Sequence, residues 1–275
     1  RPAPSGDPMT ALLAPAPTAA ARPGAGQTVR DTTALIGRTL RRTTRQLDTL
    51  LLSVMLPVML LLMFTFVFGG AIDPTGRYVD FVVPGIILLT AGYGAANTAV
   101  DMASDMTNGI IDRFRSMPIR ATGVVTGHVV ASMVRNAVST ALVIGAAFLV
   151  GFSPDATLLE WLGALGMVAL FVLALTWVGV AVGIVSSGPE AASGFTFFIL
   201  FLPYVSSAFV PPESMPSVLE AIAAWNPVTP VTDTMRGLLL GLPLETSTWV
   251  SAVAWCVGIF LVARTAAGLL FARRR

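Results

Sequence analysis

Residues 101–120 read DMASDMTNGIIDRFRSMPIR and separate two long apolar runs of the chain. Four apolar residues in this stretch recur at the spacings of three and four that place side chains on one face of a helix. They are Ile110, Ile111, Phe114 and Met117. Charged and polar residues take the other side, and Pro118 ends the helix because proline disfavours helical geometry in the residue before it. The stretch predicts a short amphipathic helix that either lies on the membrane surface or binds a partner; we interpret it as a partner contact.

The composition indicates an integral membrane protein. Hydrophobic residues make up 55% of the 275 residues and charged residues 12%, with a mean hydropathy of +0.78. Soluble domains carry about 25% charged residues. The single cysteine, Cys256, excludes a disulfide or a cysteine-built metal site within the chain.

All 17 basic residues are arginine, and none is lysine. A phosphate-binding loop of the Walker type requires a lysine that reaches the terminal phosphates. The chain therefore encodes no nucleotide site of that class, and we expect no catalytic residue and no metal site in it. The lack of lysine, with the many alanines and prolines, also indicates a GC-rich bacterial genome.

The first 48 residues differ from the rest in composition. Residues 1–26 are rich in Pro, Ala and Gly, which predicts a disordered tail; no continuous apolar core precedes Arg22, so we expect no signal peptide there. Residues 27–48 combine an apolar helical face with many arginines, which predicts an amphipathic helix in the membrane interface. The alternative is a solvated basic tail.

The region 49–271 contains six apolar runs long enough to cross a membrane, since a helical span needs about 20 mostly apolar residues. The predicted spans are Thr49–Gly70, Val79–Ala103, Thr122–Gly151, Leu158–Val185, Ala192–Val210 and Ser247–Phe271. A short basic tail, 272–275, follows them. The predicted fold is all-α, with six transmembrane helices, and the spacing of Gly179 and Gly183 on the fourth span predicts a helix contact.

The segment 212–245, between the fifth and sixth spans, is too polar and too often broken by proline to cross the membrane. Met215–Trp225 and Thr232–Leu240 each have the pattern of a short helix. We expect an external re-entrant hairpin, with Trp225 and Trp249 at the level of the lipid headgroups.

The distribution of arginine predicts the orientation. An even number of spans puts both termini on one side, together with the 101–120 stretch. That side carries thirteen arginines, whereas the opposite side carries Arg77, Arg236 and most of the acidic residues. By the positive-inside rule, both termini and the 101–120 helix are predicted to be cytoplasmic.

The third predicted span carries His128 and Arg135. About 30 helical residues rise roughly 45 Å, against a hydrocarbon core of about 30 Å, so we expect His128 near the interface and Arg135 about one turn inside it. An arginine at mid-bilayer costs about 2.5–3.5 kcal/mol on insertion scales, and less where it can extend to the interface. The favoured interpretation is that Arg135 extends to the interface; the alternative is a functional ion pair.

Residues in the 101–120 stretch and in the hairpin carry a resemblance to a known family. They are Asp105, Gly109, Asp112, Arg113, Arg115, Ser116, Pro118 and Arg120 in the first, and Asn226, Pro227, Thr229, Arg236 and Gly237 in the second. Over about residues 28–272 the chain resembles type-2 ATP-binding-cassette export permeases, in particular the daunorubicin-resistance-type permeases of actinobacteria. Many members carry glutamate at the position of Asp105, which keeps the charge.

The resemblance implies a homodimer that works with two copies of a separate ATP-binding-cassette ATPase subunit. ATP and magnesium would bind to that partner, and no cofactor would bind to this chain. The segment 105–118 would be the coupling helix that seats in the ATPase. Its partner-coupling residues would be Asp105, Gly109, Ile110, Ile111, Arg113, Phe114, Arg115, Met117 and Pro118. We expect a multi-pass protein of the bacterial inner membrane, surrounded by lipid and without a nucleic-acid partner.

Three sets of residues are candidates for a substrate path. They are Met55, Met59 and Met63 on the first span, Tyr93 and Asn97 on the second, and Phe197, Phe201 and Tyr204 on the fifth. Each set falls on one helical face, methionine adapts to varied shapes, and polar groups inside a membrane are functional candidates. The alternative is that these residues face lipid or only pack helices together.

Two other classes of function compete with an ATP-driven exporter of an amphiphilic or hydrophobic compound. A partner-independent secondary transporter or channel is disfavoured because the central parts of the spans are almost free of acids and histidine. An intramembrane enzyme would need clustered His, Cys or acidic residues, or paired groups at depth. The sequence leaves the cargo open.

Overall fold

The structure, a computed structural model, describes residues 47–73, 76–109 and 122–273, and this part of the chain is helical with short connections. The predicted tail 1–26, all but the end of the predicted interfacial helix 27–48, and residues 110–121 lie outside the described residues. The helices are α1 Leu47–Leu62, α2 Tyr78–Thr107, α3 Thr122–Val150, α4 Leu158–Val185, α5 Pro189–Phe201, α6 Ser217–Trp225, α7 Val228–Leu240 and α8 Thr246–Arg273.

Two helices continue in another form. After Leu62, α1 runs on as a π-helix over Met63–Phe68 and a last helical turn, Gly69–Ile72. After Phe201, α5 runs on as a 3₁₀-helix over Leu202–Val205, which contains Pro203. Proline lacks the N–H that a regular α-helix needs at this position, so the change at the end of α5 follows from the sequence.

Five of the six predicted spans are confirmed as helices long and apolar enough to cross a membrane. Among the described residues they are Ser53–Ile72, Tyr78–Thr107, Val125–Val150, Leu158–Val185 and Thr246–Arg273. The sixth candidate, Pro189–Val205, is shorter than the roughly 20 residues of a regular helical span. The predicted fifth span, Ala192–Val210, is therefore not confirmed as a membrane-crossing helix.

Helix α2 is the centre of the bundle. In its apolar window 89% of the residues are buried, against 17% in the corresponding windows of α1 and α8. It packs most extensively against α4 and also contacts α5, α3 and α1. Because so little of α2 is exposed, most of its side chains face neighbouring helices and few can face lipid.

Small residues allow α2 and α4 to approach closely. A Cβ atom at Gly183 would lie 2.6 Å from the carbonyl oxygen of Ala99 and 2.6 Å from Cβ of Met102. Gly179 is seated in the same way against the carbonyl of Ala95. The predicted contact at Gly179 and Gly183 is confirmed, and it exploits the closeness that glycine permits between membrane helices.

The bundle has two ends. The 107–122 end is where α2 ends and α3 begins, and the 150–158 end is where α3 ends and α4 begins. At the 150–158 end, Thr157 caps α4 in a reciprocal capping box with Glu160. The backbone N–H of Ser153 donates to Asp80 near the start of α2 over 3.0 Å, which fixes this short connection against the central helix.

The segment between α5 and α8 contains two short helices, α6 and α7, as the sequence predicts. Asn226, between them, donates through Nδ2 to the carbonyls of Leu202 and Val205 at 2.8 and 2.6 Å. These carbonyls belong to the last turn of the helical segment Pro189–Val205, where carbonyls lack helical partners of their own. Asn226 therefore attaches the hairpin to the end of α5.

Arg236 on α7 attaches the same hairpin to α2. Its guanidinium donates to the carbonyls of Phe81 at 3.2 Å and Ser207 at 2.8 Å, and to the carboxylate of Asp233 at 2.8 Å. It also stacks 3.8 Å over the ring of Phe81. Burial lowers the pKa of Arg236, while Asp233 acts in the opposite direction. Asn226 and Arg236 are two of the hairpin residues that carry the family resemblance. They hold the hairpin against the end of α5 and the beginning of α2.

Candidate functional site

Polar side chains of α2, α3 and α4 meet inside the bundle. Ser132 is at the centre, with its Oγ 2.8 Å from Oγ1 of Thr98 and 3.0 Å from Oγ1 of Thr176. Asn136 donates through Nδ2 to the carbonyl of Ser132 over 3.0 Å. With Asp101 and Arg135, these residues form what we call the polar cluster. All three helices contribute to it, so it links their positions.

Asp101 and Arg135 are an ion pair at the edge of the polar cluster. Arg135 Nη1 lies 3.2 Å from Asp101 Oδ2, and its Nη2 lies 3.5 Å from Oγ1 of Thr98. The Arg135 side chain is 5% exposed and that of Asp101 is 27% exposed. The prediction that Arg135 extends to the membrane interface is therefore wrong: its side chain is enclosed within the bundle and paired with a carboxylate on the facing helix.

A second pair lies about one turn nearer the 107–122 end. His128 Nε2 on α3 is 3.1 Å from Oδ2 of Asp105 on α2, and both side chains are buried. The predicted partner-coupling residue Asp105 thus binds within the chain, between the two helices that flank residues 110–121. An ion pair or a neutral hydrogen bond at this place ties the end of α2 to the beginning of α3.

Gly109 ends α2. It follows the C-cap residue Asn108 and has a φ of 67°, the left-handed conformation that glycine adopts readily after a helix. The remaining predicted coupling residues lie in 110–121, outside the described residues. They are Ile110, Ile111, Arg113, Phe114, Arg115, Met117 and Pro118. The structure therefore describes the helix ends on either side of the predicted coupling segment, whose shape and role stay predictions.

The predicted path residues fall on surfaces of this chain. Met55, Met59 and Met63 are exposed on α1. Phe197, Phe201 and Tyr204 are exposed along the fifth segment, with successive ring centroids 6.4 and 6.3 Å apart. Tyr93 and Asn97 are half-buried on α2.

The methionine and aromatic stripes lie on different parts of the bundle. Helix α1 packs on α2 and α3, whereas α5 packs on α2 and α4. Phe209 connects them, since its ring stacks on Tyr204 at 5.1 Å and on Phe64 of the π-helix at 4.7 Å. Phe209 itself is buried, so it joins the two stripes beneath the surface. Whether cargo uses either stripe stays a prediction.

The sequence interpretation missed the polar cluster, although a signal for it is present. His128, Ser132, Arg135, Asn136 and Ser139 recur on α3 at spacings of three and four, which places them on one helical face. Ser139 extends the stripe to α1, with its Oγ 3.2 Å from that of Ser53. A polar stripe within an apolar span predicts a buried contact with neighbouring helices.

The fold and these contacts can be compared with known proteins. The family model described as ABC-2 type transporter matches residues 30–240, well over half of the chain. This chain belongs to the ABC-2 type transporter family. The membership agrees with the apolar helices of the fold, and it implies a multi-pass membrane protein with a partner ATP-binding subunit.

Individual relatives agree with this assignment. The daunorubicin resistance ABC transporter permease protein DrrB1 of Streptomyces coeruleorubidus is 32% identical over 203 residues, 73% of this transporter and 71% of that protein. The probable doxorubicin resistance ABC transporter permease protein DrrC of Mycobacterium tuberculosis is 24% identical over 182 residues, 66% and 65% of the two chains. The predicted resemblance to daunorubicin-resistance-type permeases is confirmed.

A more distant relative shows the same region inside a larger protein. The ABC transporter G family member 20 of Dictyostelium discoideum is 23% identical over 203 residues, which cover 70% of this transporter but 27% of that protein.

Proposed function

We propose that this transporter is the membrane-spanning subunit of an ABC exporter that moves an amphiphilic or hydrophobic compound out of a bacterial cell. ATP hydrolysis in a separate nucleotide-binding subunit drives the movement, with ATP and magnesium bound there. The observation that carries the proposal is the similarity to the daunorubicin resistance permease over 73% of the chain. The apolar stripes on α1 and α5 fit a cargo of that chemistry.

The proposed assembly contains two copies of this chain and two ATPase subunits, in the inner membrane and with both termini cytoplasmic. A sixth crossing is part of the proposal. Ala192 packs with Ala99 and Ala103 of α2, while Ala208 lies against Gly85, near the other end of the same helix. The segment 189–209 therefore runs along nearly the whole length of α2, which supports a crossing made of α-helix, 3₁₀-helix and a short extension.

The proposed coupling depends on the contacts at the 107–122 end. A segment that seats in the ATPase transmits motion only if it is attached rigidly to the spans. Asp105 and His128 join α2 to α3 directly beside that segment, and Asp101 and Arg135 join them again farther in. Ser132 extends the connection to α4 through Thr176. A push on residues 110–118 would thus move three helices together.

The test uses the full chain expressed with its ATPase subunit in cells that accumulate daunorubicin. Phe114→Asp places a charge on the predicted apolar anchor, and we expect it to abolish efflux and capture of the ATPase while the spans stay folded. Val218→Asp is the matched control, because it also replaces an apolar residue with aspartate, at an exposed position of α6 outside the predicted coupling segment. We expect the control to export normally.

Two results would contradict the proposal. If Phe114→Asp captured the ATPase and exported daunorubicin normally, the coupling assignment would be wrong. If efflux continued without an ATPase subunit and stopped when the proton gradient was dissipated, the chain would be a secondary transporter.

A further inference from the structure

A cleft of about 450 Å³ opens between α3 and α4, in the half of the bundle nearer the 150–158 end. Residues that line it include Met133, Asn136, Thr140, Ile144, Trp161 and Leu165. Its walls are mostly apolar, and its volume lies within the range of about 300–1,000 Å³ that is usual for small-molecule sites. It is separate from the methionine and aromatic stripes, which lie on α1 and α5.

Two polar residues of this cleft have unmet hydrogen-bonding capacity. Oδ1 of Asn136 and Oγ1 of Thr140 are buried and have no hydrogen-bond partner, and both side chains are at least nine-tenths buried. Buried polar groups in proteins are almost always paired, and an exception needs an explanation. The two residues are one helical turn apart, so their side chains lie on the same side of α3.

Thr140 differs from several threonines in the described helices, although Thr65 on the π-helix is also without a partner. Thr90 and Thr232, for example, donate to the carbonyls of Ile86 and Val228 four residues earlier. Thr140 makes no such bond, and threonine in a helix has two accessible χ1 rotamers. The hydroxyl can therefore rotate toward a ligand in the cleft without breaking any hydrogen bond.

The deep end of the cleft is connected to the polar cluster. Asn136 donates to the carbonyl of Ser132, and Ser132 contacts both Thr98 and Thr176. The side-chain amide of Asn136 is also packed directly against Gly94 of α2. A ligand that engaged Asn136 would therefore act on the side chains that hold α2, α3 and α4 together.

We infer that the α3–α4 cleft binds a compact, largely apolar molecule with hydrogen-bond donors, which Asn136 and Thr140 accept after their side chains turn toward the cleft. We take this molecule to be cargo, which rests on the proposed function. The cleft is then one of the places where the transporter binds its cargo. Trp161 provides aromatic surface on the wall, against which a flat ring system packs well. The occupant is a small molecule and not a lipid chain, because an acyl chain has no donor for the two unmet oxygens.

The experiment measures daunorubicin binding to the purified full chain in detergent and in lipid nanodiscs. Daunorubicin is a flat polycyclic compound with hydroxyl donors, and it is itself fluorescent. Thr140→Val keeps the shape of the side chain and removes only the hydroxyl, so we expect about fivefold to tenfold weaker binding. Because no hydrogen bond is lost in the free protein, its thermal midpoint should be unchanged or higher.

Two matched controls isolate the cleft. Thr65→Val also removes a buried hydroxyl without a partner, but on the π-helix of α1; it should bind daunorubicin like the wild type. Ala141→Phe fills the cleft from an exposed lining position and should abolish binding. Ala254→Phe makes the same change at an exposed position on α8 and should have no effect.

The inference is wrong if Thr140→Val and Ala141→Phe both bind daunorubicin like the wild type, even if efflux is confirmed. It is also wrong if phosphatidylcholine from the nanodisc copurifies with the wild type, is absent from Ala141→Phe and competes with the drug, because lipid would then fill the cleft. If Thr140→Val lost binding but the complete complex showed no efflux, the binding site would be supported and the proposed export function would be contradicted.

Discussion

Arg135 on α3 and Asp101 on α2 form an ion pair whose two members differ in their access to solvent. The guanidinium is almost fully enclosed, with 5% of the side chain exposed, whereas 27% of the Asp101 side chain is exposed. Nε of Arg135 has no hydrogen-bond partner. The arginine therefore depends on the aspartate more than the aspartate depends on the arginine, because an isolated buried charge is far costlier than a partly solvated one.

The asymmetry predicts an order of effects on stability. Asp101→Asn leaves the buried charge of Arg135 without its counter-ion, and we expect it to lower the free energy of unfolding by about 1.5–3 kcal/mol. Arg135→Met should cost less, since Asp101 keeps some contact with solvent. Denaturant titration of the purified chain in detergent measures both values, and Asp101→Asn combined with Arg135→Met should recover part of the loss. Equal losses in the two single variants would contradict the asymmetry.

The close contact of α2 and α4 predicts a cost for adding one methyl group. Gly183→Ala would place its Cβ 2.6 Å from the carbonyl oxygen of Ala99, so the helices must separate, and we expect a loss of about 1–3 kcal/mol. Gly166→Ala is the control on the same helix, because nothing lies within 4 Å of its added Cβ. The control should be neutral or stabilising by about 0.5–1 kcal/mol. Thermal unfolding compares them, and a neutral Gly183→Ala would show that the helices are farther apart than described.

The attachment of the hairpin predicts that Arg236 is needed for stability. Arg236→Met leaves the carbonyls of Phe81 and Ser207 without their donor, and we expect a loss of about 2–4 kcal/mol. Arg77→Met removes an arginine that is 71% exposed and 3.5 Å from Asp80, so it should cost less than about 1 kcal/mol. Limited proteolysis between α5 and α8 provides a second readout, since a detached hairpin should be cut faster in Arg236→Met.

The methionine stripe predicts that a substitution on it reduces transport with little effect on stability. Met59 is 57% exposed, so Met59→Ala should change the free energy of unfolding by less than about 1 kcal/mol while reducing daunorubicin efflux if cargo passes over this face. Met102 is fully buried, and Met102→Ala should cost about 2–5 kcal/mol. Unchanged efflux in Met59→Ala, Met55→Ala and Met63→Ala together would remove the stripe from the proposed path.

Hydropathy and helical periodicity predicted most of the architecture. Span length depends on the number of apolar residues in a run, which is a local property, and the runs around Leu158–Val185 and Thr122–Val150 were located to within a residue or two. The two hairpin helices were also predicted, although α7 begins earlier, at Val228. A proline in its first turn, Pro230, does not interrupt it, because the N–H groups of a first turn have no helical partner.

The partners of the polar residues could not be read from the sequence. Arg135 was expected to extend to the interface, and Asp105 to contact another protein. Which side chain faces which depends on the rotation of α2 and α3 about their axes. That rotation is decided by packing at positions such as Gly183 and Ala99, far from the residues it brings together. The end of the helical segment Pro189–Val205 likewise depends on a distant residue: Asn226, more than 20 residues farther along the chain, donates to the carbonyls of Leu202 and Val205.

The sequence by itself therefore determined that this chain is a helical membrane protein, roughly where its spans lie and to which family it belongs, because those properties follow from local composition and from short motifs. The tertiary structure alone decided that Asp101 pairs with Arg135, that Asp105 pairs with His128, and that Asn136 and Thr140 line a cleft with unmet oxygens. Those relationships join residues on different helices, and a contact between helices exists only once the whole bundle has packed.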